Sequence, residues 1–364
     1  MKTFFRKLIP VLLLPVFAWS LGSVGGFHAM SPPSGQEERA EAAPAADPAP
    51  RPAPRPSAEP EGPDEPSAAP IPAPKPAYTF PEDFAVQLLP ADWFAECPSP
   101  GRVETVEYPA ADYRTGKAIV KKMDVYLPAG YDPSRPYDVL ILTHGAGDDE
   151  CYWFSEEHEY GGQKVNAKVL ADNMIFRGLC RPLLIASVTC TNEVSCSGKA
   201  YNWDQLVTDG AQFSRELSGD ILPFLVRNYS TFASSPDSAA LSQARDHFAY
   251  FGLSWSAMFG YRSILPEDMA YFAWFALIAP SRVNLSGTLG AIAESAEAFP
   301  VRALYAGVGA KDQVLAESEA MYADLIGCGA FTDGENAYQV ITENVSHHFE
   351  SWCTSLYNCL LLFF

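Results

Sequence analysis

Residues 250–263 read YFGLSWSAMFGYRS. The segment HFAYFGLS (247–254) predicts a buried strand that runs into a turn, and helix-forming residues follow Ser256. A serine between a strand and a helix sits on a very tight, strained turn, and the positions two before and two after it must be small. Gly252 and Ser256 meet that need, although the usual pattern is G-x-S-x-G and a serine stands here in place of the last glycine. Ser254 therefore reads either as a nucleophile on a strand-to-helix turn or as a structural serine in a small-residue patch. Moving the nucleophile to Ser256 would put Met258 where a small residue is required, which argues against that choice.

Outward from this turn, strand-like and helix-like segments alternate. KKMDVYLP (121–128), DVLILTHG (138–145), RPLLIASV (181–188), VRALYAGVG (301–309) and AYQVITEN (337–344) read as strands. A further strand follows a short helix within EDMAYFAWFALIAPS (267–281). Apolar residues at helical spacing mark 161–178, 206–229 (with one internal proline), 314–329 and 349–364. This alternation predicts an α/β fold, with a mostly parallel central sheet and helices on both faces.

A nucleophilic serine needs a base, and the base needs an orienting carboxylate. In chain order Ser, acid, His, Asp312 follows the strand 301–309, and the neighbours His347 and His348 follow the strand 337–344. Each has an ordinary alternative: Asp312 as a helix N-cap, the histidines as a solvated loop. LTHGAGDDE (142–150) follows another buried strand, and its glycines let backbone N–H groups approach a developing oxyanion. The expected donors are the N–H groups of Ala146 and Trp255. His144 is expected to be structural, because no metal-ligand partner stands at useful spacing.

The chain has 364 residues and a formal charge of −19, which argues against nucleic acid and against a basic membrane-docking patch. Lys2, Arg6 and Lys7 precede an apolar run from Leu8 to about Phe27, so residues 1–30 read as a signal peptide or signal anchor. Residues 31–77, rich in Pro, Ala and Glu, read as a disordered linker. At roughly 3 Å per residue it would reach on the order of 100 Å. Residues 78–364 are the globular domain. The expected location is secreted or tethered to a membrane or cell wall through the N-terminus. In that compartment the eight cysteines suggest disulfides, with Cys190 and Cys196 close enough to close a small loop.

The motifs YLPAGYDPSRPYDVLILTHGAGDDECYWF, ADNMIFRG, ILPFLVRNYS, FGLSWSAMFGYRS, YAGVGAKD and HHFESWCTSLYNCLLLFF occur in an order that resembles carbohydrate esterase family 1, the feruloyl and acetyl-xylan esterases, together with esterase D-like proteins. The resemblance covers roughly residues 97–364. It implies an α/β-hydrolase fold without a metal or cofactor and a Ser-His-Asp triad of Ser254, His347 and Asp312. The family's histidine motif, close to H-x-[WF]-x-x-W, matches His347, Phe349 and Trp352 and so selects His347 over His348. The family elbow G-x-S-x-G-G departs here at Ser256 and Ala257. The implied activity is hydrolysis of feruloyl or acetyl esters on plant polysaccharides or oligosaccharides. Trp153, Trp255 and Trp203 are the candidate aromatic surfaces for an acyl ring or a sugar. Two alternatives stay open: a decayed esterase fold serving as a carbohydrate-binding or adhesion module, and an esterase or acyltransferase for non-sugar esters.

Overall fold

Strand β3 (Asp138–Thr143), DVLILT, is buried at every residue. It lies inside an eight-stranded sheet ordered β1-β2-β6-β3-β7-β8-β9-β10 in the computed structural model, which describes Leu89 and residues 94–192 and 209–364. The other strands are β1 (Arg102–Asp112), β2 (Lys117–Leu127), β6 (Leu183–Val188), β7 (Phe248–Leu253), β8 (Trp274–Ile278), β9 (Ala303–Gly309) and β10 (Ala337–Thr342). β1 and β2 are antiparallel, β2 joins β6 antiparallel, and every later pairing is parallel. A two-stranded hairpin, β4 (Glu159–Tyr160) and β5 (Gln163–Lys164), stands apart from the sheet. The proposed signal and linker, residues 1–77, and the residues Cys196 and Trp203 lie outside the described residues.

Alternation along the strands sends side chains to two cores. Val139, Ile141, Phe248 and Tyr250 pack with Phe213, Leu217, Ile221, Met321 and Leu325 on one face. Leu140, Leu142, Ala249 and Phe251 pack with Leu170, Met174, Leu356 and Leu360 on the other. Helices cover both faces, as the alternation of segments predicts.

The differences from the expected elements have local causes. β1 carries Pro109 and the charged or polar residues Arg102, Glu104, Thr105, Glu107 and Asp112, so it shows no long apolar run; it is an edge strand, where a missing N–H is tolerated. The helix expected over 161–178 begins at Ala167, because the Asn166 side chain accepts from Val169 N–H and caps it. Before it, Gly161 and Gly162, both at positive φ, turn the β4–β5 hairpin. The helical run Phe213–Asn228 contains a π turn at Leu217–Ile221, two residues before Pro223, whose missing N–H the normal hydrogen-bond ladder cannot use.

The disulfide expectation is corrected for five cysteines. Cys97, Cys353 and Cys359 are buried free thiols, Cys328 is a half-buried one and Cys151 an exposed one. Cys353 and Cys359 project from the last helix into the core, and burial pushes both thiols up, away from the reactive thiolate.

One buried acid carries a testable cost. Asp268 is 1 % exposed, and its Oδ2 has no hydrogen-bond partner among the described residues. Burial drives its protonation well above the ordinary 3.8, against the opposing hydrogen bonds from Ser214 and Ser218. The folded state thus keeps a proton that the unfolded chain releases, and stability falls as pH rises from about 4 towards the folded-state value. Asp268→Asn is expected to raise the urea midpoint near pH 7 and to leave it unchanged below about pH 3. A variant less stable at both pH values would contradict this.

Candidate active site

At the end of β7, Ser254 has φ 52° and ψ −110° and stands as the N-cap of the helix Trp255–Phe259. Only three non-glycine residues among those described have positive φ, and Ser254 is one of them. This strained geometry holds its side chain out at the strand end. Its N–H bonds to Ile278 O at 2.7 Å. The turn leaves no room at Gly252, where a Cβ would meet Ala257 Cα and Ser256 O at 3.0 Å.

Ser254 Oγ lies 3.1 Å from His347 Nε2, and His347 Nδ1 lies 2.8 Å from Asp312 Oδ2 and 3.1 Å from Oδ1. A carboxylate only accepts, so His347 donates from Nδ1 and leaves Nε2 to accept the Ser254 hydroxyl proton. The three residues follow β7, β9 and β10, at the C-terminal edge of the parallel strands. Asp312 is fully buried in its side chain, while His347 keeps 21 % exposure and so faces the outside. Asp312 also accepts from Val314 N–H at 2.9 Å; it holds its own loop as well as the histidine. Gly309 makes the meeting sterically feasible: a Cβ there would lie 2.5 Å from Val345 O, in the loop that carries His347. His348 is turned away. Its Nδ1 caps the last helix by accepting from Glu350 N–H, and its side chain is 49 % exposed.

The loop after β3 packs over the serine, since a Cβ on Gly145 would lie 3.7 Å from Ser254 Cβ. This brings Ala146 into the same neighbourhood. Trp255 is the first residue of its helix, so its N–H has no intrahelical acceptor. His144, fully buried, accepts from Cys190 N–H at Nε2 (3.1 Å) and therefore donates from Nδ1 to Gly145 O (2.7 Å). Burial lowers its pKa to about 4, so it is a neutral brace for the loop.

The expected aromatic surfaces need correction. Trp153 is fully buried, packs edge-on against Phe251 and donates its indole N–H to Thr143 O at 3.0 Å. Trp255 is 3 % exposed, with its ring against Phe259. Both side chains are core, because each ring lies over a buried strand or helix neighbour. Trp203 lies outside the described residues. The half-buried aromatics beside the histidine are instead Trp352, edge-on to His347 at 5.4 Å, and Tyr152, 6.0 Å from Trp352. Asp148 joins them. Its Oδ2 would lie 3.4 Å from a Cβ on Gly145, and desolvation, with the charge of Asp149 adding, lifts its pKa to about 6. Sequence reasoning passed over Asp148 and Tyr152 and used Trp352 only as a motif letter. The available signal was position, since Asp148 directly follows the HGAG turn.

No protein-family model matches the chain. Over 199 residues it is 28 % identical to the endo-1,4-beta-xylanase Y of Acetivibrio thermocellus, an alignment that takes in 54 % of this chain and 16 % of that protein. The chain thus spans about a sixth of that relative's length. The structure resembles a mutant of the feruloyl esterase module from Clostridium thermocellum complexed with sinapinate, with TM-score 0.63 and 21 % identity over 76 % of this chain and 92 % of that one. It also resembles the CE1 ferulic acid esterase of the anaerobic fungus Anaeromyces mucronatus, with TM-score 0.57 and 16 % identity over 76 % and 97 %. The fold is the α/β-hydrolase fold of these esterases.

Proposed function

We propose that this chain is an exported serine esterase that hydrolyses feruloyl or acetyl esters on plant polysaccharides or their fragments. The observation that carries the reading is the hydrogen-bonded path from Ser254 through His347 to the buried Asp312, beside the first N–H groups of a helix. In this reading Ser254 Oγ attacks the ester carbonyl carbon while His347 Nε2 takes its proton. The N–H groups of Trp255 and Ala146 stabilise the oxyanion. The bond to the sugar oxygen then breaks, and His347 returns the proton to that oxygen. Water repeats both steps on the acyl-enzyme and releases the acid. Asp312 holds the imidazole in the tautomer this requires.

Two features support the substrate class: the resemblance to feruloyl esterases and the aromatic wall of Tyr152 and Trp352 beside His347. An aromatic wall suits a cinnamoyl ring. Export, with tethering through the N-terminus, rests on the basic residues and apolar run of 1–30 and on the proline-rich linker of 31–77.

The test is acid release from methyl ferulate, nitrophenyl acetate and acetylated xylan by the full chain. Release that depends on Ser254 is expected. A folded protein inert on all three, yet retained on xylan, would overturn the reading in favour of a binding module. The histidine assignment has its own check. His347→Ala is expected to lose about 10⁴-fold or more in kcat/KM, whereas His348→Ala should stay within a few-fold and lose only its helix cap, about 1 kcal/mol. The reverse order would reassign the base.

A further inference from the structure

The serine that replaces the last glycine of the elbow is bonded on every side. Ser256 is fully buried, and its Oγ accepts from Leu253 N–H at 2.7 Å, donates to Leu253 O at 3.0 Å and lies 2.8 Å from Thr143 Oγ1. Leu253 is the residue immediately before the nucleophile. Pairing between β3 and β7 ends at Leu142 and Phe251, two residues short of it. The hydroxyl of Ser256 therefore takes both backbone groups of Leu253 where the strand ladder stops. Thr143 closes the set from the other strand. Its Oγ1 also lies 2.8 Å from Phe251 O, and its carbonyl is held by the Trp153 indole. The next residues of its chain are His144, Gly145 and Ala146, the loop that packs over Ser254. Tyr250 seals the underside, donating its hydroxyl to Ser256 O at 3.1 Å.

We infer that the hydroxyls of Thr143 and Ser256 form a staple that fixes the nucleophile elbow against the oxyanion loop. Ser256 is a positioning residue, and the inference rests on the esterase reading above. Glycine at 256 would leave the buried N–H and C=O of Leu253 without the hydroxyl that both now use. The elbow and the donor loop would then be free to shift relative to each other. Misplacement of reacting groups by about 1 Å is enough to cost on the order of 100-fold in rate. The staple acts only on the geometry of attack, so its loss appears in kcat and not in KM.

The experiment compares Ser256→Gly, Ser256→Ala, Thr143→Val and Thr143→Ser in the full chain, with two readouts. One is kcat and KM on methyl ferulate and nitrophenyl acetate, taken well below each variant's unfolding temperature. The other is the rate at which a fluorophosphonate modifies Ser254, followed by intact mass. Ser256→Gly, Ser256→Ala and the isosteric Thr143→Val are expected to lose about 10–100-fold in kcat and in labelling rate, with KM within about twofold. Thr143→Ser, which keeps the hydroxyl, is expected to stay close to the parent. The double variant Thr143→Val/Ser256→Ala should be no slower than the slower single variant, because both remove the same link. Folded Ser256→Gly, or Thr143→Val, labelling as fast as the parent would overturn the staple. If Ser256→Gly and Ser256→Ala fail to fold, the contrast between Thr143→Val and Thr143→Ser decides the matter. A parent protein that never labels at Ser254 would instead overturn the esterase reading itself.

Discussion

Ser254→Ala is expected to lower ester turnover by about 10⁴-fold or more while leaving the fold as it is. The side-chain hydroxyl makes one hydrogen bond among the described residues, to His347, and the turn is held by backbone bonds to Ile278 O and from Met258 N–H. Alanine keeps those bonds and the strained φ of 52°. The comparison with Ser254→Gly adds a second, independent expectation. Glycine adopts positive φ without the Cβ penalty, so the glycine variant should be as inactive as alanine and more stable by about 1 kcal/mol. Turnover on nitrophenyl acetate and methyl ferulate, with urea unfolding of both variants, checks the two claims together. An alanine variant that retained more than about a tenth of parental turnover would contradict the nucleophile assignment, because without the hydroxyl no acyl-enzyme can form.

The second large effect lies away from the site. Glu216→Ala is expected to destabilise the protein by about 3–5 kcal/mol. Lys121 Nζ is 2.6 Å from Glu216 Oε1 and 2.7 Å from Thr189 O, and the Lys121 side chain is 1 % exposed. Tyr108 OH donates to the same Glu216 oxygen at 2.7 Å. Burial raises the Glu216 carboxyl above its ordinary range, and the charge and hydrogen bond of Lys121 and the hydrogen bond of Tyr108 offset that rise only in part. Removing the carboxylate leaves an ammonium in the core with one carbonyl for company. Replacing both partners, as in Lys121→Met/Glu216→Leu, should recover part of the loss, since no buried charge then remains. Urea midpoints of the single and double variants measure this. A single variant that costs no more than a surface substitution would show that the pair is not a buried ion pair in solution.

These two expectations differ in how far the sequence alone leads to them. Ser254 is legible because its signal is local. A buried strand, a glycine, a serine and a helix occupy consecutive residues, and steric crowding at the turn restricts what can stand two positions away. Asp312 is legible by the same logic, as an acid placed directly after a strand. Lys121 is not. In KKMDVYLP it reads as one of two lysines at the start of a strand, and nothing nearby marks it as the one that turns inward to Glu216, 95 residues on.

By itself the sequence determined the alternating α/β architecture, the strand-to-helix turn at Ser254, the positions of Asp312 and His347 after later strands, and the glycine turn after β3. All of these are written in periodicities and steric rules that act over a few residues. The choice of His347 over His348 came from the resemblance; only the tertiary structure showed that His348 caps a helix while His347 lies within hydrogen-bond reach of Ser254. It alone showed that Trp153 and Trp255 are core, that Tyr152 and Trp352 stand beside the histidine, and that Ser256 joins Thr143 across 113 positions of chain. The physical reason is that a side chain's burial and partners are set by whatever the fold brings against it. For a pair of hydroxyls or a pair of charges, that neighbour lies on a different strand.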